Sequence, residues 1–135
     1  MAARRIDVRE VPGDESPARW RKAAERLKAM ERSLEAGDLD AALLDGVHAV
    51  IAAADALTIR HLGVVCASER HEDAAFVVEQ VRVAPGLGEA ARHLKRLLKS
   101  KGAIEYSSRY PRPEEARSLC EHARRFVEFV EKNLG

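Results

Sequence analysis

Residues 113–134 read PEEARSLCEHARRFVEFVEKNL, and this stretch indicates an amphipathic helix. Pro113 suits the first helical turn, where an amide hydrogen has no partner, and Glu114 complements the positive end of the helix dipole. The apolar residues then recur at three- and four-residue steps, which places them on one face: Ala116, Leu119, Cys120, Ala123, Val127, Val130 and Leu134. We therefore expect this helix to bury one stripe against the rest of the protein.

The residues before this helix show the same period. Ser16 offers a capping hydroxyl, so a first helix is predicted to begin there and to end at Gly37. Asp38 is the next candidate cap, and the second helix is predicted to run to about Leu62. Because this second helix is apolar around much of its circumference, we expect it to be the central one.

Two more helices complete the predicted fold, over about residues 70–82 and 87–100. Residues 1–15 are interpreted as an irregular N-terminal arm, and residues 16–135 as a single helical-bundle domain. Short connections place consecutive helices antiparallel. The sequence therefore predicts an all-α protein, an antiparallel up-and-down bundle of four to five helices.

The composition is typical of a helical domain, and its charges are nearly balanced. The 135 residues suffice for one core, and only 4% of them are aromatic. Ala and Leu carry much of the apolar content and lose little side-chain entropy in a helix. Lys and Arg number 23 against 22 Asp and Glu. Any attraction to nucleic acid or membrane must therefore be local.

Several features indicate a cytoplasmic protein. Cys66 and Cys120 do not make a disulfide framework, which favours a reducing compartment. The first residues lack the apolar run of a signal peptide. Asp55 interrupts the most apolar segment, so we expect no membrane span and no membrane partner.

A basic cluster with two tyrosines is the main candidate binding site. Between residues 92 and 112, seven positive charges face a single acid, Glu105. Four of the cations share one helical face that leads into a predicted loop, and such a stripe beside aromatic rings can hold a phosphate while a base stacks. The candidate ligand-binding residues are Arg92, Lys95, Arg96, Lys99, Lys101, Tyr106, Arg109 and Tyr110. The alternative is a solvated face with tyrosines whose rings pack and whose hydroxyls cap other groups.

Arg117 and His122 are the candidate catalytic residues. An Arg that holds a phosphate and a His that moves a proton are a workable pair for RNA cleavage. On an uninterrupted helix, however, this spacing places them about 140° apart around the axis. Both would reach one phosphate only if each subunit of a dimer supplied one of them. The alternative is an exposed Arg and a His at the shoulder of the helix.

No metal site and no cofactor are predicted. His61, Cys66 and His71 surround one connection, but zinc sites normally use tighter pairs. His48 lies in the apolar second helix, where an interior or interface histidine with a hydrogen-bond partner is a simpler interpretation than a catalytic one. The sequence contains no glycine-rich phosphate loop of either usual pattern.

Two stretches of the chain resemble the HEPN family. The first runs from His48 through Thr58 to Gly63, and the second from Glu105 to Val127. Together they place the resemblance over about residues 38–134. HEPN domains are helical and occur with minimal nucleotidyltransferases, in toxin–antitoxin pairs and in several RNases.

The resemblance implies a four- or five-helix bundle that dimerises across its long helices. Catalytic HEPN members carry an Arg-x4-6-His motif, typically with Asn after the Arg, whereas Ser118 follows Arg117 here. The first hypothesis is therefore a non-catalytic, homodimeric module that binds a nucleotide, RNA or a protein partner such as a nucleotidyltransferase. The alternatives are a metal-independent RNase that uses Arg117 and His122 across a dimer, and a purely structural interaction bundle.

Overall fold

The structure, a computed structural model, describes residues 5–83, 85–106 and 108–135. Its helices are α1 (Ser16–Ala36), α2 (Leu39–Leu62), α3 (Asp73–Glu79), α4 (Leu87–Lys99), α5 (Lys101–Tyr106) and α6 (Pro113–Asn133). The prediction of an all-α bundle is confirmed. The predicted bounds of α1, α2, α4 and α6 agree with these to within about two residues, which is the usual uncertainty of a helix end.

Helix α2 is the centre of the bundle, as its apolar circumference predicts. It contacts α1, α3, α5 and α6. Only Gly37 and Asp38 separate it from α1, and Gly37 adopts a left-handed conformation with φ of 81° that ends α1. The short turn makes α1 and α2 an antiparallel pair.

By length and composition alone, α2 is apolar enough to cross a membrane, with a mean hydropathy of 1.6 over its best window. The expectation that Asp55 excludes such a segment is therefore too strong. In the folded chain, 67% of that window is buried inside the bundle. This burial is typical of the core helix of a soluble protein.

The N-terminal region is more ordered than an irregular arm. Residues Val8–Glu10 form strand β1, which pairs antiparallel with β2 (Val64–Cys66). Val11 is buried in a small apolar cluster with Ile59 and Val65. The prediction is thus wrong for residues 8–11, because pairing with a strand more than fifty positions away leaves no local periodicity. Residues 1–4 of the predicted arm lie outside the described residues.

Neither of the two side chains predicted to cap a helix does so in the structure. Ser16 Oγ donates a hydrogen bond to the carbonyl of Ala56 at 2.8 Å, so this buried hydroxyl joins α1 to α2. Asp38 occupies the position before α2, but its side chain makes no capping hydrogen bond. The first amide of α2, that of Leu39, instead donates to the hydroxyl of Tyr110 at 2.9 Å.

Helices α3 and α5 also depart from the prediction. Helix α3 spans only Asp73–Glu79, because residues 70–72 form the turn that leads into it. The predicted loop after α4 begins with α5 instead. Gly102 does not adopt a positive φ, so it does not end the helical path, and Ile104 anchors α5 in the core.

Candidate functional site

One edge of helix α4 presents exposed cations. The opposite face of the helix is buried against α6 and α3 through Ala90, Ala91, Leu94, Leu97 and Leu98. Arg92, Arg96 and Lys99 follow each other at steps of four and three residues along the exposed edge, which we call the basic strip. In the described part of the chain these three side chains make no ion pair. Their charges are therefore available to a ligand.

A cleft of about 510 Å³ opens on one side of the basic strip, where α4, α5 and α6 meet. We call it the α5 cleft. Arg96, Lys99 and Arg109 bring three cations to its wall, and Arg109 also contacts Glu115 at 3.6 Å. Apolar side chains line the cleft as well: Leu43, Ile104, Pro111 and Leu119. Cations beside an apolar surface suit a phosphate group joined to a ring system.

A second cleft, of about 890 Å³, lies on the other side of the strip, between α3, α4 and α6. Its lining residues are Glu72, Phe76, Glu89, Arg92, His93, Lys95, Arg96, Lys99 and His122. We call it the histidine cleft. Arg96 and Lys99 line both clefts, so the basic strip forms a ridge between them.

Two imidazole rings meet in the histidine cleft. Nδ1 of His93 on α4 and Nδ1 of His122 on α6 lie 2.8 Å apart, and the ring centroids are 5.1 Å apart. Burial lowers the pKa of His122, and His93 and Arg96 lower it further, while Glu121 acts in the opposite direction. His122 is thus held toward its neutral form, in which a ring nitrogen can accept a proton.

The helical fold agrees with a comparison of the chain with protein families. A model of the HEPN domain matches residues 17–133. The chain belongs to the HEPN family. No curated protein and no solved structure matches the chain. The match begins in α1, so the HEPN unit is longer than the resemblance over residues 38–134 indicated.

HEPN membership gives a general functional class. It places the protein among nucleotide- and RNA-related or RNase-type modules. HEPN domains also often dimerise and bind RNA. Which residues of this protein bind a ligand or catalyse a reaction must be inferred from its own structure.

The candidate binding residues of this HEPN domain separate into several groups. Arg92, Arg96 and Lys99 form the basic strip, and Arg109 joins the last two in the α5 cleft. Lys95 lines the histidine cleft but contacts Glu79 at 3.4 Å, and its ammonium lies 4.8 Å from the centre of the Phe76 ring. The charge of Lys95 is therefore partly satisfied within the protein.

Lys101 and the two tyrosines lie outside both clefts. Lys101 forms an ion pair with Glu105 at 2.9 Å, and this hydrogen bond lowers the pKa of the Glu105 carboxyl. Tyr106 is 84% exposed and lines a shallow depression with Lys99 and Lys101. The hydroxyl of Tyr110 accepts the amide hydrogen of Leu39. This is the alternative in which a tyrosine hydroxyl caps another group, so the structure does not bring Tyr110 into the binding clefts.

The Arg-x4-His pair stays divided in the HEPN bundle. Both residues lie on the uninterrupted helix α6, so the angle of about 140° between them persists. His122 turns toward α4 and enters the histidine cleft, whereas Arg117 is exposed and lines neither cleft. An arginine that does act on His122 within the same chain is Arg96, whose charge lowers the pKa of His122.

Sequence reasoning missed His93. It is separated from His122 by 29 positions, and only the packing of α4 on α6 brings the two rings together. The one local signal is that His93 lies beside the apolar stripe of α4, between Arg92 and Leu94. Among the described residues, no group of three or more His, Cys, Asp or Glu side chains is placed to hold a metal ion.

Proposed function

We propose that this HEPN protein is a non-catalytic module that binds single-stranded RNA or a nucleotide through the basic strip of α4. The observation that carries the proposal is the position of Arg96 and Lys99, which line the clefts on both sides of the strip. A phosphate on the ridge would meet both cations, and a base attached to it would reach the apolar lining of the α5 cleft. Membership in a family that often binds RNA supports this proposal.

Electrostatics also supports a ligand at this strip. The cations of the strip make no ion pair within the described residues, so binding a phosphate breaks no contact inside the protein. Even a broken surface pair would cost only about 0–1 kcal/mol. Because the formal net charge is only +1, attraction depends on this local concentration of positive charge.

The proposal can be tested by fluorescence anisotropy with a labelled single-stranded RNA. We expect the double substitution Arg96→Ala and Lys99→Ala to weaken binding and to reduce the salt dependence. Removing two phosphate contacts should make the negative slope of log K against log salt concentration less steep by about 1.4. The matched control is Lys22→Ala with Lys28→Ala on α1, which removes the same charge from exposed positions on a helix that does not contact α4 within the described residues. Equal losses in the two double variants would contradict the proposal.

One observation keeps a metal-independent RNase as the second candidate. His122, the histidine of the Arg-x4-His pair, lies in a basic cleft with a lowered pKa and a second imidazole beside it. This function predicts cleavage of RNA in the presence of a chelator and its loss in His122→Ala. The binding-module proposal predicts that the purified protein leaves the RNA intact.

A protein partner, of nucleotidyltransferase or toxin–antitoxin type, stays a prediction, as does the cytoplasmic location. Isolation of the untagged protein from separated fractions of its native cell would test both. Co-purification of RNA that is released by salt would support the binding module. A protein partner that resists salt would favour an apolar interface, because apolar burial does not weaken as salt rises.

A further inference from the structure

The contact between His93 and His122 depends on the protonation of both rings. A neutral imidazole has one donor nitrogen and one acceptor nitrogen, whereas a protonated ring has two donors. The 2.8 Å contact joins Nδ1 to Nδ1, so one ring must donate and the other accept. The bond therefore forms when both rings are neutral or when they share one positive charge. It breaks when both are protonated, because both Nδ1 atoms then donate.

The charges around the pair oppose its second protonation. On α4, Arg92, Lys95, Arg96 and Lys99 line the cleft and Glu89 Oε1 lies 3.8 Å from His93 Nε2. Glu72, just before α3, is a further carboxylate of the lining. Charged residues of α6 near the pair are Glu121, Arg125, Glu128 and Lys132. Within the described residues, α2 and α5 add no charged group to this cleft.

An anion in the cleft would reverse this balance. The anion would offset the positive charge of the arginines and so stabilise a second imidazolium. Each protonated imidazole could then donate a strong, charge-assisted hydrogen bond to an oxygen of the anion. Two exposed arginines are placed to bind such an anion beside the histidines. Arg92 and Arg96 lie one helical turn apart on the basic strip, and both line the cleft that contains the two imidazoles. The cleft volume of about 890 Å³ is large enough for a phosphodiester with its attached sugar.

We propose that the histidine cleft is a second oxyanion subsite, in which a phosphodiester bound by Arg92 and Arg96 converts the His93–His122 hydrogen bond into two protonated imidazoles. Binding then takes up protons, and the affinity rises as the pH falls through the imidazole range. The choice of an RNA phosphodiester as the anion rests on the proposed function. The linkage between anion and protons does not, and it can be measured without RNA.

The first test follows the five histidines by NMR as the pH is changed, in sulfate and in chloride at equal ionic strength. Sulfate is a suitable probe because it keeps its charge between about pH 5 and 8, where imidazoles titrate. We expect sulfate to raise the pKa of both His93 and His122 and to leave that of His48, His61 and His71 nearly unchanged. The upward shift should disappear in the double variant Arg92→Gln and Arg96→Gln. Equal behaviour of all five rings would overturn the proposal.

The second test measures the binding of an RNA that contains only uridine, between about pH 5 and 8. Phosphodiesters and uracil do not titrate there, so any pH dependence comes from the protein. The affinity should rise by up to about tenfold per pH unit for each proton taken up. His93→Gln and His122→Gln should each reduce this steepness by at least half, whereas His61→Gln, which removes an exposed imidazole of α2 that lines neither cleft, should keep it.

The two tests separate the two proposals. If the wild-type protein binds no uridine RNA at any pH, RNA binding as the proposed function is wrong, and the sulfate titration still decides whether the subsite exists. If the RNA binds and the glutamine variants retain the wild-type pH dependence, the subsite is wrong and the proposed function stands.

Discussion

Ion pairing divides the cations of α4 at the scale of single residues. Lys95 contacts Glu79 and covers the ring of Phe76, so its charge is already used within the protein. Arg96 and Lys99 are exposed and line two clefts. Residues of the same charge and on the same helix thus differ in what they can offer to a phosphate.

Asp55 provides a prediction about pH and stability. It accepts a hydrogen bond from Arg19 at 3.0 Å, yet burial raises the pKa of its carboxyl to about 6 and outweighs the lowering by Arg19. Between the ordinary value of 3.8 and about 6, the folded protein binds a proton that the unfolded chain has released. We therefore expect this contribution to the free energy of unfolding to fall as the pH rises through that range.

Urea unfolding at several pH values would measure this effect. Asp55→Asn should remove that part of the pH dependence. Asp45→Asn, which removes a neighbouring α1–α2 contact with Arg26, should retain it. His122, whose lowered pKa acts with the opposite sign, is present in all three proteins. An unchanged profile in Asp55→Asn would show that the raised pKa of Asp55 does not affect folding.

At the scale of elements, the ends of helices depend on distant residues. Helix α2 begins at an amide bonded to Tyr110, which lies 71 positions further along the chain. The C-terminal end of α6 also depends on another helix. Arg60 and His61 of α2 contact the carbonyl oxygens of Leu134 and Asn133 at 3.2 and 2.6 Å, respectively. Orphan backbone groups at helix ends are thus satisfied across the bundle.

The tyrosine contact leads to a second prediction. We expect Tyr110→Phe to lower the free energy of unfolding by about 1 kcal/mol, because the first amide of α2 loses its acceptor. RNA binding should be unchanged, since Tyr110 lines neither cleft. The matched control is Tyr106→Phe at the 84% exposed position, where we expect a change below about 0.5 kcal/mol. Thermal and chemical unfolding measure the first effect, and weaker RNA binding by Tyr110→Phe would restore this residue to the binding site.

Gly46 supports a prediction about helix packing. A Cβ atom at this position would lie 3.1 Å from Met30 Sδ on α1 and 3.6 Å from Ala123 Cβ on α6. We expect Gly46→Ala to be nearly neutral, because the flexible thioether can move and alanine favours a helix by about 1 kcal/mol. Gly46→Val should destabilise by about 1–3 kcal/mol, because its branches cannot fit.

Gly88 in α4 is the matched control, since nothing lies within 4 Å of a Cβ atom there. We expect Gly88→Val to change the stability by less than about 0.5 kcal/mol. Chemical denaturation compares the three variants. Similar losses at both glycines would mean that the β-branched side chain itself, and not close packing at Gly46, is responsible.

At the scale of the whole molecule, the assembly state stays a prediction. HEPN domains often dimerise, and α2 keeps a half-buried apolar edge at Leu44, Ile51 and Ala52. His48 is exposed in the middle of this edge. In a two-fold dimer across α2, the same residues of both copies meet.

Sedimentation at micromolar concentration should therefore give the mass of a dimer. His48→Glu should weaken the dimer by placing like charges near the two-fold axis, while Gln80→Glu at the exposed end of α3 should not. A monomeric mass for the wild-type protein would contradict the dimer. A dimer that tolerates Glu at both positions would place the interface elsewhere.

The bundle follows from the sequence to the extent that its interactions are local. Helical periods, glycine stops such as Gly37 and Gly63, and the proline start of α6 all act within a few residues, so they could be read directly. The basic strip of α4 is equally local, because the spacing of Arg92, Arg96 and Lys99 places them on one edge of any helix.

Tertiary structure alone decided the rest, since it depends on residues that meet only after the helices pack. The strand pair at the N-terminus, the hydroxyl of Tyr110 at the start of α2 and the contact between His93 and His122 all join positions far apart in the chain. No periodic pattern records such contacts, because each is a single side chain or a short run placed by the docking of whole elements. The sequence by itself determined an all-helical HEPN bundle with a basic strip, and packing determined which of its charges and imidazoles share a cleft.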